Sequence, residues 1–351
     1  MGISTNAANV EAGTQQGHCD CMFCINFYKQ DMLHQGALIA PRPLLMMHGA
    51  KDTLFPVKGY TEFERVVGKL YQGYGRPDDF KNIVVDTGHA DSDFLREQAM
   101  HWLDKHLMGI PPRQLDMDYS NAPPEELSVF GGAPPADAQN FRIHETFTSH
   151  GPLEKFESSE AWKERSSVLL ATLRRLLPPT KDSFVPKTDP RKPSKAAGKL
   201  PAILYIASNG EDERYQERLL RGAESRGETV RMVVWPRGVG EIAFSRDTER
   251  NFLRDAMLIG ETLDSLRLRD VRSALEALKA QPEVDPARIT VVGRGVSGIL
   301  GLYAAILDPA VLQVLLLDPP ESHREGPVFL NIPRHTDLPE AAALLAPRRL
   351  L

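Results

Sequence analysis

Two residues whose types suit acid–base chemistry, Asp52 and His89, each follow an apolar segment of the chain at close range. If both segments are parallel strands, the two residues lie at the same edge of the sheet, where α/β proteins bind ligands. A carboxylate there would orient the imidazole, which would take a proton from a nucleophile and return it to the leaving group. The competing interpretation is a solvated turn aspartate and an incidental loop histidine.

The elements that must position this pair have the pattern of a parallel α/β fold. Residues 37–48 pass through a Pro-rich turn into a short apolar run that predicts a buried strand. Apolar residues at helical spacing predict a helix over 58–75, and residues 81–86 predict a second strand. A final amphipathic helix is predicted over 92–108. The order is strand, helix, strand, helix.

The same rhythm resumes after residue 199. The pattern predicts strands at 200–207, 229–235, 289–292 and 311–317, and the start of a last strand at 344–351. It predicts helices at 212–226, at 250–280 with a break near Gly260, and from the turn after residue 292 to residue 307. The fold class predicted for the chain is α/β, with a mostly parallel sheet flanked by helices. Residues 110–200 are rich in Pro and Gly around one helix, Ser158–Leu177, and indicate a connector.

An internal repeat suggests how the chain is organised. Residues 31–45 (DMLHQGALIAPRPLL) and 337–351 (DLPEAAALLAPRRLL) are identical at eight of fifteen positions. A repeat at this offset indicates two related units in tandem. We therefore predict three parts: 1–110 as the C-terminal part of one unit, 111–198 as the connector, and 199–351 as the N-terminal and middle part of a second unit.

The segments around Asp52 and His89 carry a family resemblance. The stretches HCDCMFCINFYKQD, ALIAPRPLLMMHGAKDTLFP and VDTGHAD resemble the C-terminal part of α/β-hydrolases of the acetyl xylan esterase and dienelactone hydrolase-like group. The order of acid and then histidine, after consecutive strands, is also the order of that group. The resemblance implies that Asp52 is the acid and His89 the base of a catalytic triad.

Residues 199–351 resemble the N-terminal and middle part of the same fold, through WPRGVGE and AMLIGETLDSLRLRDVRSALEALKAQPEVDPARITVVG. This fold carries its nucleophile in a G-x-S-x-G turn. Here Gly295 stands where the serine is expected, and Ser297 stands at the trailing glycine. A two-residue shift would make Ser297 the nucleophile, whereas the alternative is a degenerate turn kept for folding. Ser208-Asn-Gly also replaces the usual His-Gly of the oxyanion region.

The sequence leaves two arrangements of the halves open. In the first, residues 40–48 fill the vacant position beside strand 311–317, which gives one sheet in permuted strand order with Asp52 and His89 facing Gly295 and Ser297. This arrangement would cover an exposed apolar sheet edge. In the second, the chain holds two partial domains.

Composition narrows the possible partners. The net charge is −5 and no basic cluster stands apart, so nucleic acid is not expected as a partner. No apolar run approaches the roughly 20 residues of a membrane helix, and residues 1–17 lack the pattern of a signal peptide. The cluster from His18 to Cys24 is open to a metal site or to a buried loop of apolar thiols, and the second interpretation fits its spacing better.

The function predicted from these features is that of a serine-type carboxylic ester hydrolase, similar to acetyl xylan esterases or dienelactone hydrolases, with Asp52, His89 and Ser297 as candidate catalytic residues. The chain is expected to be incomplete for catalysis, and the nucleophile is expected to be either Ser297 or a serine that precedes residue 1. Its substrate would be a small-molecule or carbohydrate ester. No cofactor or metal is predicted, because triad hydrolysis needs none. The alternative is a non-catalytic pseudo-hydrolase that acts as a scaffold or a ligand-binding domain.

Overall fold

The computed structural model of the chain describes residues 4–14, 17, 24–116, 122–146, 156–179, 184–191, 193, 198–223 and 228–351. The chain forms two compact units. Unit 1 comprises residues 1–24 and 28–149, and unit 2 comprises residues 25–27 and 150–351. The predicted connector is therefore divided between the two units.

Unit 1 contains a two-stranded parallel sheet and its helices. The helices are α1 (Asn6–Ala12), α2 (Met32–Ile39), α3 (Val57–Gly73), α4 (Asp93–Leu103) and α5 (Pro124–Leu127), with short 3₁₀ turns at Pro77–Asp79 and Ile143–Thr146 and a π turn at Asp104–Met108. Strand β1 (Leu44–Gly49) pairs in register with β2 (Phe80–Val85) over six residues. The parallel arrangement places the loops that follow β1 and β2 at one edge of this sheet.

The core of unit 1 is formed by β1 and one face of α3. Met46 on the strand packs with four helix residues at spacings of three and four, namely Tyr60, Phe63, Val67 and Tyr71. This spacing places all four side chains on one helix face, as the apolar pattern of 58–75 predicts. The exposed fraction of each is 4% or less. β1 is thereby held on a rigid support.

Unit 2 contains a six-stranded sheet in the order β3-β5-β4-β6-β7-β8. Its strands are β3 (Lys187–Arg191), β4 (Leu200–Ile206), β5 (Val230–Trp235), β6 (Val284–Arg294), β7 (Val311–Leu317) and β8 (Arg349–Leu350). Its helices are α6 (Ser159–Leu176), α7 (Glu213–Ala223), α8 (Arg246–Leu258), α9 (Leu263–Lys279), α10 (Gly295–Leu307) and α11 (Leu338–Ala343), with 3₁₀ turns at Gly240–Ile242 and Ile332–Arg334. All pairings are parallel except that of β3 with β5. The predicted α/β class with a mostly parallel sheet is confirmed.

The main core of unit 2 lies between the sheet and helices α6, α9 and α10. Helix α10 is apolar on almost all sides and is buried from Ser297 to Ile306, as expected of a helix in the interior of a unit. Helix α6 contributes Leu169 and Leu173 to the same core. The helix that was predicted in the connector is thus part of unit 2.

The hypothesis of a single permuted sheet is wrong for this chain. β1 belongs to a separate sheet with β2, and the position beside β7 is held by β8. β8 lies in the second copy of the repeat, so that copy occupies the position that residues 40–48 were predicted to fill. Within the described ranges, no helix combines the length and apolarity needed to cross a membrane.

Candidate active site

Backbone hydrogen bonds connect the loop that follows β1 to the end of β2 and the loop that follows it. Ala50 N donates to Val85 O at 2.7 Å, and Lys51 N donates to Thr87 O at 2.9 Å. A Cβ atom at Gly49 would run into the main-chain oxygens that follow β2, so only glycine allows this close approach. These contacts fix the positions of Asp52 and His89 relative to each other.

Asp52 and His89 form a hydrogen-bonded pair. Asp52 Oδ2 lies 2.8 Å from His89 Nδ1, and Asp52 Oδ1 accepts a hydrogen bond from Leu54 N at 2.9 Å. Because an ionised carboxylate can only accept, Nδ1 carries the proton, and the lone pair of neutral His89 is on Nε2. The structure therefore brings together the two residues that the sequence placed after consecutive strands.

The surroundings of the pair differ on its two sides. The Asp52 side chain is 7% exposed, whereas the His89 side chain is 62% exposed. The ring of buried Phe55 stacks on the imidazole with 5.8 Å between centroids. Within the described part of the chain, His89 Nε2 has no hydrogen-bond partner. The pair thus has a fixed carboxylate and an accessible basic nitrogen, which is the arrangement that a general base requires.

Residues 293–298, where β6 passes directly into α10, have the backbone of a sharp strand-to-helix elbow. A Cβ atom at Gly293 would lie 2.8 Å from Gly298 Cα, and one at Gly298 would lie 2.7 Å from Gly293 O, so both positions require glycine. Gly295 forms the tip with φ +55°. A Cβ atom there would meet nothing nearer than Asp318 O at 4.0 Å. The tip has space for a side chain but carries none.

Ser297 lies two residues after Gly295, in the first turn of α10 in unit 2. Its side chain is 8% exposed, and its Oγ donates to Ala207 O at 3.0 Å. The hydroxyl therefore points toward the end of β4 and is engaged by the backbone. The assignment of Ser297 as nucleophile stays a prediction, and this geometry does not favour it.

Glu211, which the sequence analysis did not single out, occupies the region after β4. Its Oε2 accepts hydrogen bonds from Tyr205 Oη at 2.8 Å and from Ser208 N at 3.0 Å. Burial and the nearby carboxylate raise the pKa of Tyr205 well above its usual value. Ser208 Oγ donates to Arg294 O at 3.1 Å. The amide that follows β4 is thus paired with a carboxylate and would not be available to a developing oxyanion.

Most of the cysteine cluster, His18 to Cys24, falls on residues that the structure does not describe. His18, Cys19 and Cys21 lie outside the described residues. Cys24 is an exposed free thiol, so the expectation of a buried thiol is wrong for this residue. Among the residues that the structure describes, no three His, Cys, Asp or Glu side chains are grouped to hold a metal ion.

Comparisons with known proteins find similarity to hydrolases. No protein-family model matches the chain. "Putative hydrolase YtaP" of Bacillus subtilis strain 168 is 34% identical over 71 residues, which are 20% of this chain, and the chain thus spans only 24% of that relative's length. A solved structure of a putative acetyl xylan esterase from Bacteroides fragilis is 15% identical with a TM-score of 0.45, over 59% of this chain and 72% of that one. A glucuronoyl esterase from Solibacter usitatus is 14% identical with a TM-score of 0.37, over 55% and 74% of the two chains.

Proposed function

We propose that unit 1 supplies the acid–base half of a serine-type carboxylic ester hydrolase, with His89 as general base and Asp52 as the residue that orients it. The observation that carries this proposal is the 2.8 Å contact between Asp52 Oδ2 and His89 Nδ1 at the carboxyl ends of two parallel strands. The similarity of 71 residues to "Putative hydrolase YtaP" supports the same class of reaction. The proposed substrate is a small-molecule or carbohydrate ester.

In the proposed reaction, His89 Nε2 takes the proton of a serine hydroxyl as its oxygen attacks the ester carbonyl. The imidazolium, stabilised by Asp52, returns this proton to the departing alcohol and leaves an acyl-serine. Water activated by the same imidazole then releases the carboxylic acid and restores the serine. Ser297 is one candidate for the nucleophile, and its hydroxyl would first have to leave its hydrogen bond to Ala207 O.

Hydrolysis of p-nitrophenyl acetate tests the roles of the pair. His89→Ala and Asp52→Asn should each lower kcat by about a hundredfold to ten-thousandfold, since general acid–base catalysis contributes factors of that size. Lys51→Gln is a matched control, because its exposed ion pair with Asp86 lies beside the site but does not contact the imidazole. Equal turnover in wild type and His89→Ala would contradict the proposal.

A fluorophosphonate probe identifies the nucleophile independently of turnover, because it modifies only an activated serine. Labelling of Ser297 that disappears in His89→Ala would assign both residues to one site. Labelling of another serine, with full activity in Ser297→Ala, would remove Ser297 from the reaction. A folded chain with neither labelling nor turnover would contradict the hydrolase proposal as a whole.

A second candidate function, ligand binding without chemistry, is favoured by the elbow of unit 2. Gly295 leaves the tip of the elbow without a hydroxyl group, and the Glu211 carboxylate accepts the hydrogen bond of the Ser208 amide. If this candidate holds, phenyl acetate titrated into the protein should shift NMR signals of unit 2 without being hydrolysed. Glu211→Gln should change this binding and His89→Ala should not, whereas the reverse pattern would favour the hydrolase.

A further inference from the structure

A row of arginines lines an open groove in unit 2. Arg214, Arg218 and Arg221 follow one another on α7 at spacings of four and three, and Arg191 faces them from the edge strand β3. The groove has a volume of about 510 Å³. This volume is in the range of sites that bind small molecules. Glu213 and Glu217 complete the lining.

The two carboxylates in the groove already accept hydrogen bonds from two of the arginines, Arg191 and Arg221. Glu217 accepts hydrogen bonds from Arg191 at 3.2 Å and from Arg221 at 3.0 Å. Glu213 accepts one from Arg191 at 3.0 Å. The pKa of Glu217 is lowered, chiefly by its hydrogen bond from Arg221, so it remains ionised and bound to its partners at neutral pH.

Two guanidinium groups remain without a carboxylate. Among the described residues, neither Arg214 nor Arg218 forms an ion pair, and both are exposed. The Arg218 guanidinium lies over the ring of Tyr215, with 5.1 Å from Cζ to the ring centroid. This cation–π contact holds the guanidinium group beside the ring. Four arginines against two glutamates give the lining a net charge of +2, although the whole chain carries −5.

We propose that this groove binds a ligand that carries at least two oxyanion groups, such as phosphates or carboxylates. A guanidinium donates two parallel hydrogen bonds to an oxyanion, and free guanidinium forks are therefore matched to such groups. From the helical rise, Arg214 and Arg218 are about 6 Å apart along α7, and Arg214 and Arg221 about 10.5 Å apart. A ligand with several anionic groups can span this row, whereas a single anion cannot. The proposal is independent of ester hydrolysis.

Isothermal titration calorimetry with tripolyphosphate and with citrate tests the proposal on the full chain. Tripolyphosphate, citrate or both should bind more tightly than inorganic phosphate, and the binding should weaken as salt is added. Arg214→Gln with Arg218→Gln should weaken the binding by about tenfold, as expected for the loss of two partly solvated charge-assisted contacts. The tighter of the two probes identifies phosphate or carboxylate as the recognised group.

Arg250→Gln is the matched control, because Arg250 is an exposed arginine on α8 of the same unit with a side chain 69% exposed. It should leave binding unchanged. Binding of both probes no tighter than that of inorganic phosphate would overturn the proposal. An equal loss in the control and in the double variant would also overturn it, because it would indicate nonspecific attraction to positive charge.

Discussion

The two copies of the repeated segment have similar local structure in different surroundings. In each copy an aspartate caps a short helix: Asp31 Oδ1 accepts from Met32 N at 2.6 Å, and Asp337 Oδ1 accepts from Leu338 N at 2.8 Å. Each aspartate also accepts a hydrogen bond from the backbone of an upstream segment. Asn6 N donates to Asp31 in unit 1, and His323 N donates to Asp337 in unit 2. A similar sequence has thus produced the same capped helix twice.

The copies differ in what their strands and arginines contact. β1 pairs with β2 over six residues, whereas β8 pairs with β7 over two. Arg42 in the first copy is exposed and donates to carbonyls of its own helix, at Ile39 and Leu38. The local sequence thus determines the capped helix in both copies, while the choice of partner depends on the elements that each unit contains.

The largest expected difference between the copies concerns these arginines. Arg348 Nη1 donates to Ala305 O, Asp308 O and Val311 O, the carbonyls at the end of α10 and the start of β7. Arg348→Ala should lower the free energy of unfolding of unit 2 by about 3 kcal/mol, because several partly buried carbonyls lose their donor. Arg42→Ala should cost less than about 0.5 kcal/mol. Urea denaturation, followed by hydrogen exchange of peptides from each unit, measures the loss of unfolding free energy in both variants. Equal losses in Arg348→Ala and Arg42→Ala would contradict the proposed difference between the two copies.

A second difference is that β1, which begins in the first copy and runs beyond it, carries a buried histidine. His48 is 2% exposed and stacks on Tyr60, and neither ring nitrogen has a partner among the described residues. Burial lowers the pKa of His48 to about 4, against the attraction of Asp52. A lowered histidine pKa means that the unfolded state binds the proton more readily. Stability is therefore present above the unfolded pKa of about 6.5 and is lost as the pH falls toward 4.

Unit 1 should accordingly lose about 2 kcal/mol of stability between pH 7 and pH 5 through His48 alone. His48→Phe keeps an aromatic ring on Tyr60 but cannot be protonated, so it should remove this part of the pH dependence. Hydrogen exchange of unit 1 peptides at both pH values checks the prediction. An unchanged pH dependence in His48→Phe would show that other groups cause the acid sensitivity.

The elements that follow from apolar periodicity could be predicted from the sequence. The helix over 58–75 and the strand over 311–317 are present as α3 and β7. The approach of Asp52 and His89 was also predictable, because it requires only two adjacent parallel strands. β3 could not be predicted, since Lys187–Arg191 has no apolar alternation and contains a proline, which is tolerated on an edge strand.

Contacts between distant parts of the sequence were harder to predict. The prediction of a permuted sheet was wrong because two similar segments, 40–48 and 344–351, both suited the position beside β7. Sequence similarity alone does not decide which of them takes it. The role of Glu211 also depends on how Tyr205 and Ser208 are placed after β4. A turn glutamate has no signal in sequence that distinguishes such a contact from a solvated side chain.

A smaller difference is expected in the backbone ladders of the two copies. β8 is a short edge strand whose residues are exposed, and Leu351 N donates to Val314 O at 3.0 Å just beyond it. In β1, Met46 is buried within a six-residue ladder. The amide of Leu351 should exchange about tenfold or more faster than that of Met46, because short edges open locally at lower free energy. Residue-resolved exchange by NMR measures both rates, and equal protection would indicate that β8 is as firmly held as β1.

The smallest difference is expected at the capping aspartates. Asp31→Asn and Asp337→Asn should each cost about 1 kcal/mol at pH 7, because an amide replaces a capping carboxylate. Although burial opposes the charge, hydrogen bonds from His323 N, Ser322 Oγ and Leu338 N outweigh it and hold the pKa of Asp337 below its usual value. A lowered carboxyl pKa contributes stability that is present at neutral pH and lost as the pH falls through the folded-state pKa. The cost of Asp337→Asn should therefore shrink in acid, and a cost that is independent of pH would assign the effect to shape and not to charge.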